Sequence, residues 1–293
     1  MKKPVHGAKL LLSAGTAVTL AIGMLAVGQT AYAAGPTSVG LGTANGFAVL
    51  AGTGITNTGA TTITGDVGSY ATPSETGFGT VVLTGTNHAG DAVTHGAKSA
   101  LVTAYNDAAA RTPFTAVAAG HLGGQTLVGG VYNAGSSTMD LTGTLTLDGQ
   151  NDPSSVWVFQ APSDLITASS SSVNLINGAS PCNVFWQVTS SATLGSSSTF
   201  AGTIMGLTSI TMGSGVTLNG RALARNGDVT LISDTITNTC SASPGQTVTP
   251  PPTSMASIPS SNNSTPLFGL LICLAFGALG VVAVETQRRR SRN

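Results

Sequence analysis

Residues 193–231 repeat with a period of 18 to 19 residues, and this repeat constrains the fold more than any other feature of the sequence. The segment TFAGTIMG at 199–206 aligns with TLNGRALA at 217–224. Three triplets in which two apolar residues flank a threonine recur at the same spacing: 192–194, 210–212 and 229–231. Side chains alternate along a β-strand, so each triplet points its apolar pair to one side and its threonine to the other. The pattern predicts a mainly β solenoid in which each coil buries its apolar side on the next.

Two earlier triplets, 145–147 and 173–175, have the same form, so the predicted coils extend back to about residue 140. If the coils stack in register, the central residues form one outward column at the roughly 4.8 Å spacing of neighbouring strands. This column contains Thr146, Asn174, Thr193, Thr211 and Thr230. The residues two positions earlier also face outward: Thr144, Ser172, Ser191, Ser209 and Asp228. We therefore predict a flat strip of hydroxyl groups that ends in one carboxylate. The alternative is that threonine favours strands and serine favours surfaces, whatever the function.

Charged residues make up only 8% of the chain, against about a quarter in an average domain. Seven of the eleven Lys and Arg residues lie near the two ends of the sequence. Between these ends, four basic residues stand against ten acidic ones, which leaves a net charge of −6. A negative, weakly charged middle excludes nucleic acid as a partner, because nucleic-acid binding needs clustered Lys and Arg.

The ends of the sequence resemble targeting and anchoring segments. Residues 1–33 have a basic start, an apolar stretch and a small-residue cleavage site, which is typical of a signal peptide. The domain that follows covers 34–240, and a Pro/Ser/Thr-rich spacer covers 241–266. An uncharged apolar stretch at 267–284 is long enough for a transmembrane helix. Residues 285–293 form a basic tail, which the positive-inside rule assigns to the cytoplasm. We therefore expect an exported domain, anchored in the cell membrane and displayed at the cell surface.

One segment, 89–111, departs from the β pattern, because its apolar positions follow helical spacing. These positions are Val93, Ala97, Leu101, Ala104, Tyr105 and Ala108. Asp91 near the start and Arg111 at the end complement the helix dipole, and Pro113 stops the helix. The sequence thus predicts one amphipathic helix whose apolar side packs along the solenoid.

Cys182 and Cys240 flank the repeats, whereas Cys273 lies within the apolar stretch at 267–284. In an exported domain this arrangement predicts one disulfide between Cys182 and Cys240. Closing a loop of this length stabilises the fold by roughly 4 kcal/mol on the chain-entropy model. About three coils separate the two cysteines, so the chain after residue 234 must fold back to reach Cys182.

The sequence offers little catalytic or metal-binding chemistry. His88, Asp91 and His95 have helical spacing and form a candidate metal-binding face, but no fourth ligand is evident, and the polar side of an amphipathic helix explains them equally well. We found no pair of catalytic carboxylates, no nucleophile elbow and no phosphate-binding loop. We therefore predict no metal, no cofactor and no enzymatic activity.

Several segments, in their order along the chain, resemble a bacterial and fungal family of ice-binding proteins. They are LGTANGFAVLAGTGITNTGATTITGDVG at 41–68, AYNDAAAR at 104–111, LGGQTLVGGVYNAG at 122–135 and the stretch 182–231, which begins CNVFWQV and contains NGRALA and DVTL. The resemblance spans about residues 39 to 240. It implies a discontinuous right-handed β-helix of triangular section, in which N-terminal strands complete the stack and one long α-helix packs alongside.

The resemblance also implies a function and a partner. The partner would be ice or its ordered water, and the hydroxyl strip without Asp228 would be the ice-binding face of a monomer. The alternative is a surface adhesin or structural envelope protein that has the same fold, touches cell-surface glycans and has no activity toward ice.

Overall fold

A computed structural model describes residues 35–240 of the chain. Six of the strands in this range precede a single α-helix: β1 (Phe47–Ala51), β2 (Ile55–Thr58), β3 (Thr61–Thr64), β4 (Asp66–Ser69), β5 (Glu75–Thr76) and β6 (Val81–Thr84). The helix α1 spans Ala92–Ala109. Fifteen strands follow it: β7 (Thr115–Ala116), β8 (Thr126–Leu127), β9 (Gly130–Asn133), β10 (Met139–Leu141), β11 (Thr144–Asp148), β12 (Trp157–Ala161), β13 (Leu165–Thr167), β14 (Ser172–Ile176), β15 (Val184–Val188), β16 (Ala192–Leu194), β17 (Thr199–Gly206), β18 (Ile210–Met212), β19 (Thr217–Ala224), β20 (Val229–Ile232) and β21 (Thr235–Thr237).

The strands pair in parallel and build three faces of a β-helix. Face a contains, in stack order, β8, β11, β14, the first halves of β17 and β19, then β21, β3 and β6. Face b contains β7, β9, β12, β15, the second halves of β17 and β19, then β1 and β4. Face c contains β10, β13, β16, β18, β20, β2 and β5. On every face the N-terminal strands follow the C-terminal ones, which confirms the expected discontinuous stack.

Strands β17 and β19 turn from face a to face b within a single strand, and glycine makes this possible. At Gly220 the backbone φ is +150°, and an added Cβ would lie 1.9 Å from the carbonyl oxygen of Gly202. Only a residue without a side chain fits that corner. The matched glycines of the sequence repeat therefore mark the corner between faces a and b.

The register predicted for the repeat is correct. Thr193 pairs with Thr211, and Thr211 pairs with Thr230, across adjacent strands of face c. The apolar residues beside the last two threonines, Ile210, Met212, Val229 and Leu231, are all 0% exposed.

The prediction of one column through all five triplets is wrong. Thr146 and Asn174 pair with each other on face a, not on face c. On face c the same coils contribute Asp140 and Ile166, and Ile166 is the neighbour of Thr193. The coils at this end of the stack are longer: 28 residues separate the hydrogen-bonded Thr144 and Ser172. The short repeat therefore could not be extended backwards by matching triplets alone.

Helix α1 lies along face b, as predicted, and is slightly shorter than the segment 89–111. Asp91 caps its N-terminus by accepting a hydrogen bond from the Thr94 amide. The helix buries all but one of its predicted apolar positions: Ala97, Leu101, Ala104, Tyr105 and Ala108. They share a core with Phe185, Met205 and Leu223 of face b. Val93 was assigned to the apolar side, but it is 48% exposed, and the buried residue of the first turn is Thr94.

The predicted disulfide between Cys182 and Cys240 is present. Cys182 lies in the turn that leads from β14 on face a to β15 on face b. The chain folds back after β21, where Thr239 donates a hydrogen bond to Asn219. The last described residue therefore lies at the corner between faces a and b.

A polar seam, formed by Asn45, Lys98, Arg221 and Asn238, joins the N-terminal coils to the C-terminal coils where β1 lies beside β19. Arg221 and Asn238 both donate hydrogen bonds to the Asn45 carbonyl, at 3.1 and 3.0 Å. Lys98 on α1 donates to the carbonyl of Ala224 at 2.6 Å. Burial lowers the pKa of Lys98 to about 8 and that of Arg221 to about 10. Side-chain donors thus satisfy backbone acceptors at the break between the two chain segments.

Within residues 35–240, no helix is both long and apolar enough to cross a membrane. The predicted signal peptide (1–33), spacer (241–266), transmembrane helix (267–284) and basic tail (285–293) lie outside the described residues.

Candidate functional site

Face c carries an unbroken column of five outward threonines. Thr193, Thr211 and Thr230 come from the C-terminal coils, and Thr56 and Thr76 continue the column through β2 and β5. With neighbouring strands about 4.8 Å apart, the five residues span roughly 19 Å. We name this set the threonine column.

The strands of face c are short because tight corners follow them. Around β16, β18, β20 and β2, the corners toward face b have three or four residues and those toward face a have two to four. Strands β16, β18 and β20 bury the apolar residues beside their threonines, as in the buried, exposed, buried pattern of β16. On β2 the two buried neighbours of Thr56 are Ile55 and Asn57, and on β5 Thr76 follows the half-buried Glu75. From β16 to β2 the backbone of the threonine column is therefore held on both sides by buried residues, and its borders do not project far.

The second predicted row, Ser191, Ser209 and Asp228, lies at the edge of face c and bonds to neighbouring side chains. Ser209 donates its hydroxyl proton to Oδ1 of Asp228, and Thr230 donates to Oδ2 at 3.1 Å. The hydroxyl of Ser191 lies 2.6 Å from that of Thr208. The Ser209 hydrogen bond is the main cause that lowers the pKa of Asp228 below its usual value. At neutral pH Asp228 is therefore ionised, and its carboxylate accepts hydrogen bonds from two hydroxyls.

The threonine column ends where β13 begins. Ile166, the neighbour of Thr193, is 45% exposed, and beyond it Asp140 contacts His121. The five residues of the threonine column are thus uncharged, and beyond them the outward positions of face c are occupied by an apolar residue, Ile166, and an acidic one, Asp140.

Face a carries two columns of mainly polar residues, the second interrupted by the buried Ala201, and it receives the other four predicted site residues. Thr144 and Ser172 belong to the column next to face c: Thr144, Ser172, Thr199, Thr217, Thr235 and Thr62. Thr146 and Asn174 belong to the column next to face b: Thr146, Asn174, Ala201, Asn219, Thr237, Thr64 and Thr84. The nine predicted residues therefore divide between two faces and do not form one strip.

The sequence did not predict that Thr56 and Thr76 continue the threonine column on face c, nor that Thr199, Thr217 and Thr235 form a row on face a. The second group was visible as threonines 18 residues apart, each followed by a buried apolar residue. Thr56 also lies between two inward residues, Ile55 and Asn57. No sequence signal links Thr56 to Thr230, because their neighbour relation exists only in the folded stack.

His88, Asp91 and His95 form the candidate metal-binding face for which the sequence analysis predicted no metal. His88 Nδ1 lies 3.0 Å from Asp91, whereas the His95 ring stacks on Tyr70 with centroids 4.6 Å apart. The two histidines therefore have different partners. Among residues 35–240, no group of three His, Cys, Asp or Glu side chains is arranged to hold a metal ion.

Comparison with known proteins gives consistent matches. A family model described as ice-binding-like matches residues 49–237. The ice-binding protein of Nostoc sp. (strain HG1) is 43% identical over 244 residues, which cover 83% of this chain and 90% of that protein. The ice-binding protein of Flavobacterium frigoris (strain PS1) is 38% identical over 216 residues, with coverages of 68% and 76%.

Solved structures give the same result. An ice-binding protein from an Antarctic biological consortium superposes with a TM-score of 0.68 at 44% identity, covering 70% of this chain and 93% of that one. The ice-binding protein of the Antarctic ascomycete Antarctomyces psychrotrophicus gives a TM-score of 0.66 at 44% identity, with coverages of 71% and 100%.

Proposed function

The chain belongs to the family of ice-binding-like proteins, and we propose that it binds ice through face c. The observation that supports this face is the threonine column, which runs without a break through five adjacent strands. The family is one of ice-binding proteins and not of enzymes, in agreement with the prediction from the sequence.

A rigid, regular column suits a crystalline partner. Each threonine offers a hydroxyl and a methyl group at a fixed spacing, so the water next to the column is held in an ordered row. A single contact of this kind contributes little, at most about 1 kcal/mol. Adsorption then depends on many contacts that form together, and this requires a surface that is flat along its whole length.

The other two faces are less suitable. Face b is covered by α1 and contributes its outer residues to a core. Face a has hydroxyl columns of its own, but its border with face b carries segments of eight and seven residues, at 149–156 and 177–183. The disulfide and the last described residue, Cys240, lie at that same border. Face c does not touch this corner, so Cys240 lies on the side of the domain away from the proposed ice face.

The test compares matched bulky substitutions on the two faces of the full chain. Thr211→Tyr introduces a large ring at the centre of the threonine column, and Thr217→Tyr introduces the same ring in the middle of face a. We expect Thr211→Tyr to abolish ice-crystal shaping and inhibition of ice recrystallisation, and Thr217→Tyr to leave both unchanged. Both variants should keep the melting temperature of the wild type, because both side chains point outward.

The opposite pattern, with only Thr217→Tyr inactive, would move the ice-binding site to face a. A wild-type chain that neither shapes ice nor inhibits recrystallisation at micromolar concentration would reject ice binding altogether. Binding of that inert chain to cells or glycans would then support the surface adhesin.

We also propose that the domain is exported and held at the cell surface by residues 267–284. The support is the sequence alone: a signal-like segment at 1–33, a Pro/Ser/Thr-rich spacer at 241–266 and an uncharged apolar stretch before a basic tail. A protease added to intact cells should cut within the spacer, release the domain and leave a small membrane-bound fragment. Uncut mature protein in the medium would contradict the anchor.

A further inference from the structure

Asp228 lies beside the middle of the threonine column, at the corner that leads into β20. Its two carboxylate oxygens accept hydrogen bonds, one from the hydroxyl of Ser209 on the preceding coil and one from the hydroxyl of Thr230 within the column. Its backbone amide also donates a hydrogen bond to the hydroxyl oxygen of Ser209, at 3.3 Å. The carboxylate is therefore tied to the proposed ice face by its side chain and only partly exposed to solvent.

These bonds make Thr230 different from the rest of the threonine column. The hydroxyls of Thr56, Thr76, Thr193 and Thr211 bond to no other group among residues 35–240, so each can donate to water or accept from it. The hydroxyl of Thr230 already donates its hydrogen bond to Asp228, so toward water its oxygen can only accept. An ordered water layer that crosses the column meets one position where the hydrogen-bond direction is fixed by the protein.

The carboxylate also brings a charge to the middle of the threonine column. The carboxylate of Glu75, beside Thr76 at the end of the stack, is half-buried and accepts a hydrogen bond from Asn87. The positions that match the aspartate on the two preceding coils are Ser191 and Ser209, which are neutral. A partly exposed carboxylate holds its own water strongly, and displacing or reordering that water costs free energy. Both effects oppose the formation of a continuous ordered layer at this point of face c.

We propose that Asp228 lowers the affinity of face c for ice, and that it is the residue of this chain that limits the strength of adsorption. The inference rests on the proposed function, because it assigns a role to one residue of that site. It differs from a structural role in the sign of its effect: replacing a structural residue weakens binding or leaves it unchanged, whereas replacing Asp228 by a neutral residue strengthens it.

Two substitutions isolate this effect. Asp228→Ser continues the neutral row of Ser191 and Ser209, and Asp228→Asn keeps the shape of the side chain while it removes the charge. The backbone carbonyl of Asp228, which accepts a hydrogen bond from Ile210 at 3.0 Å, is unaffected by either change. The matched control is Asp148→Asn, which removes one carboxylate from the edge of face a and changes the net charge by the same amount.

The measurement is the lowest concentration of the full chain that inhibits ice recrystallisation, with the melting temperature recorded for each variant. We expect Asp228→Ser and Asp228→Asn to act at about fivefold lower concentration than the wild type, the effect of roughly one restored hydrogen bond. Asp148→Asn should match the wild type, and all three variants should remain folded at the temperature of the assay.

Equal or weaker activity in both folded Asp228 variants would overturn the inference. If Thr211→Tyr is inactive in the same series, the proposed ice face still stands and only the role of Asp228 is rejected. An equal gain in Asp148→Asn would also overturn the inference, because net charge would then explain the result. A wild type and Asp228 variants that are all inert toward ice would reject the proposed function together with this role.

Discussion

The central strands of face b are buried on both sides, whereas strands of face c are buried on one side only. In β15 all five residues, Val184–Val188, are buried, while in the next strand of the same coil, β16, the central Thr193 is exposed. In β12 and β15 every side chain packs against either the interior or α1, so packing selects a mainly apolar run. On face c the outward position is free of packing. The residues at that position can therefore be selected for function. Substitutions on face b should change stability, and substitutions at the outward position of face c should change activity.

The largest expected effect is on the side of α1 that covers face b. Leu101 is fully buried in the core shared with face b, so Leu101→Asp should reduce the free energy of unfolding by more than about 3 kcal/mol by burying an unpaired charge. Val93→Asp is the matched control on the same helix, because Val93 is half exposed, and it should change stability by less than about 0.5 kcal/mol. Chemical denaturation measures both. Equal losses would mean that the packing of α1 does not distinguish its two sides.

A second, smaller effect concerns Asp234, which lies at the corner between faces c and a and is 1% exposed. Burial raises its pKa to about 6, although the backbone amides of Ile232 and Val216 donate to it and lower that value. The folded state then binds the proton more tightly than the unfolded state. The resulting stabilisation is complete below about pH 4 and is lost as the pH rises through about 6, by about 3 kcal/mol at most.

The measurement is the free energy of unfolding of the wild type and of Asp234→Asn between pH 4 and pH 7. Because other carboxylates titrate in the same range, the difference between the two proteins is the informative quantity. Asp234→Asn should gain relative to the wild type as the pH rises. A difference that stays constant with pH would show that Asp234 remains ionised throughout.

On face c the expected change in stability is close to zero and the expected change in function is large. Thr56 lies on the N-terminal strand β2, next to Thr230. Thr56→Tyr should abolish ice shaping as Thr211→Tyr does, while the free energy of unfolding changes by less than about 0.5 kcal/mol. Full activity in Thr56→Tyr, together with loss in Thr211→Tyr, would restrict the ice-binding site to the C-terminal coils.

The smallest expected effect is a gain. Ile166 occupies the outward position on β13 beside Thr193, so Ile166→Thr would extend the threonine column by one coil. Nearly half of the Ile166 side chain is exposed, so the melting temperature should stay close to that of the wild type. We expect a small improvement in recrystallisation inhibition. A clear loss would indicate that the exposed Ile166 itself contacts the ordered water.

The sequence was sufficient to predict the solenoid, the buried partners of the repeat, the helix on its side and the disulfide. Each of these follows from periodicity or composition over a short range, as in the pairing of Thr193, Thr211 and Thr230. The division of the site between two faces was not predictable. Thr146 and Thr193 are in triplets of the same form, and alternation reports only that both point outward. The coil lengths assign the first to face a and the second to face c, and those lengths vary with the corner segments.

The contribution of Thr56 and Thr76 was hidden for a different reason. The N-terminal coils show no repeat of their own, and their register is fixed by strands that come much later in the chain. The resemblance of the sequence to the ice-binding family predicted that N-terminal strands complete the stack, but the pairing of Thr56 with Thr230 was established only by the structure.

The polar seam has a consequence for the order in which the domain forms. The amide of Asp234 donates to the hydroxyl of Thr61 across a sequence separation of 173 residues. Strands β1 to β3 pair on one side with β4 to β6, which are close in sequence, and on the other side with the distant β19 to β21. The first coils to be synthesised are therefore the last to pair with the C-terminal coils. Such distant pairings make folding slow, and until they form, the edge of β19 exposes unpaired backbone groups that another chain could occupy. Arg221 and Asn238 donate to the carbonyl of Asn45, just before β1, only when β1 lies in register beside β19, so these hydrogen bonds form at the final step.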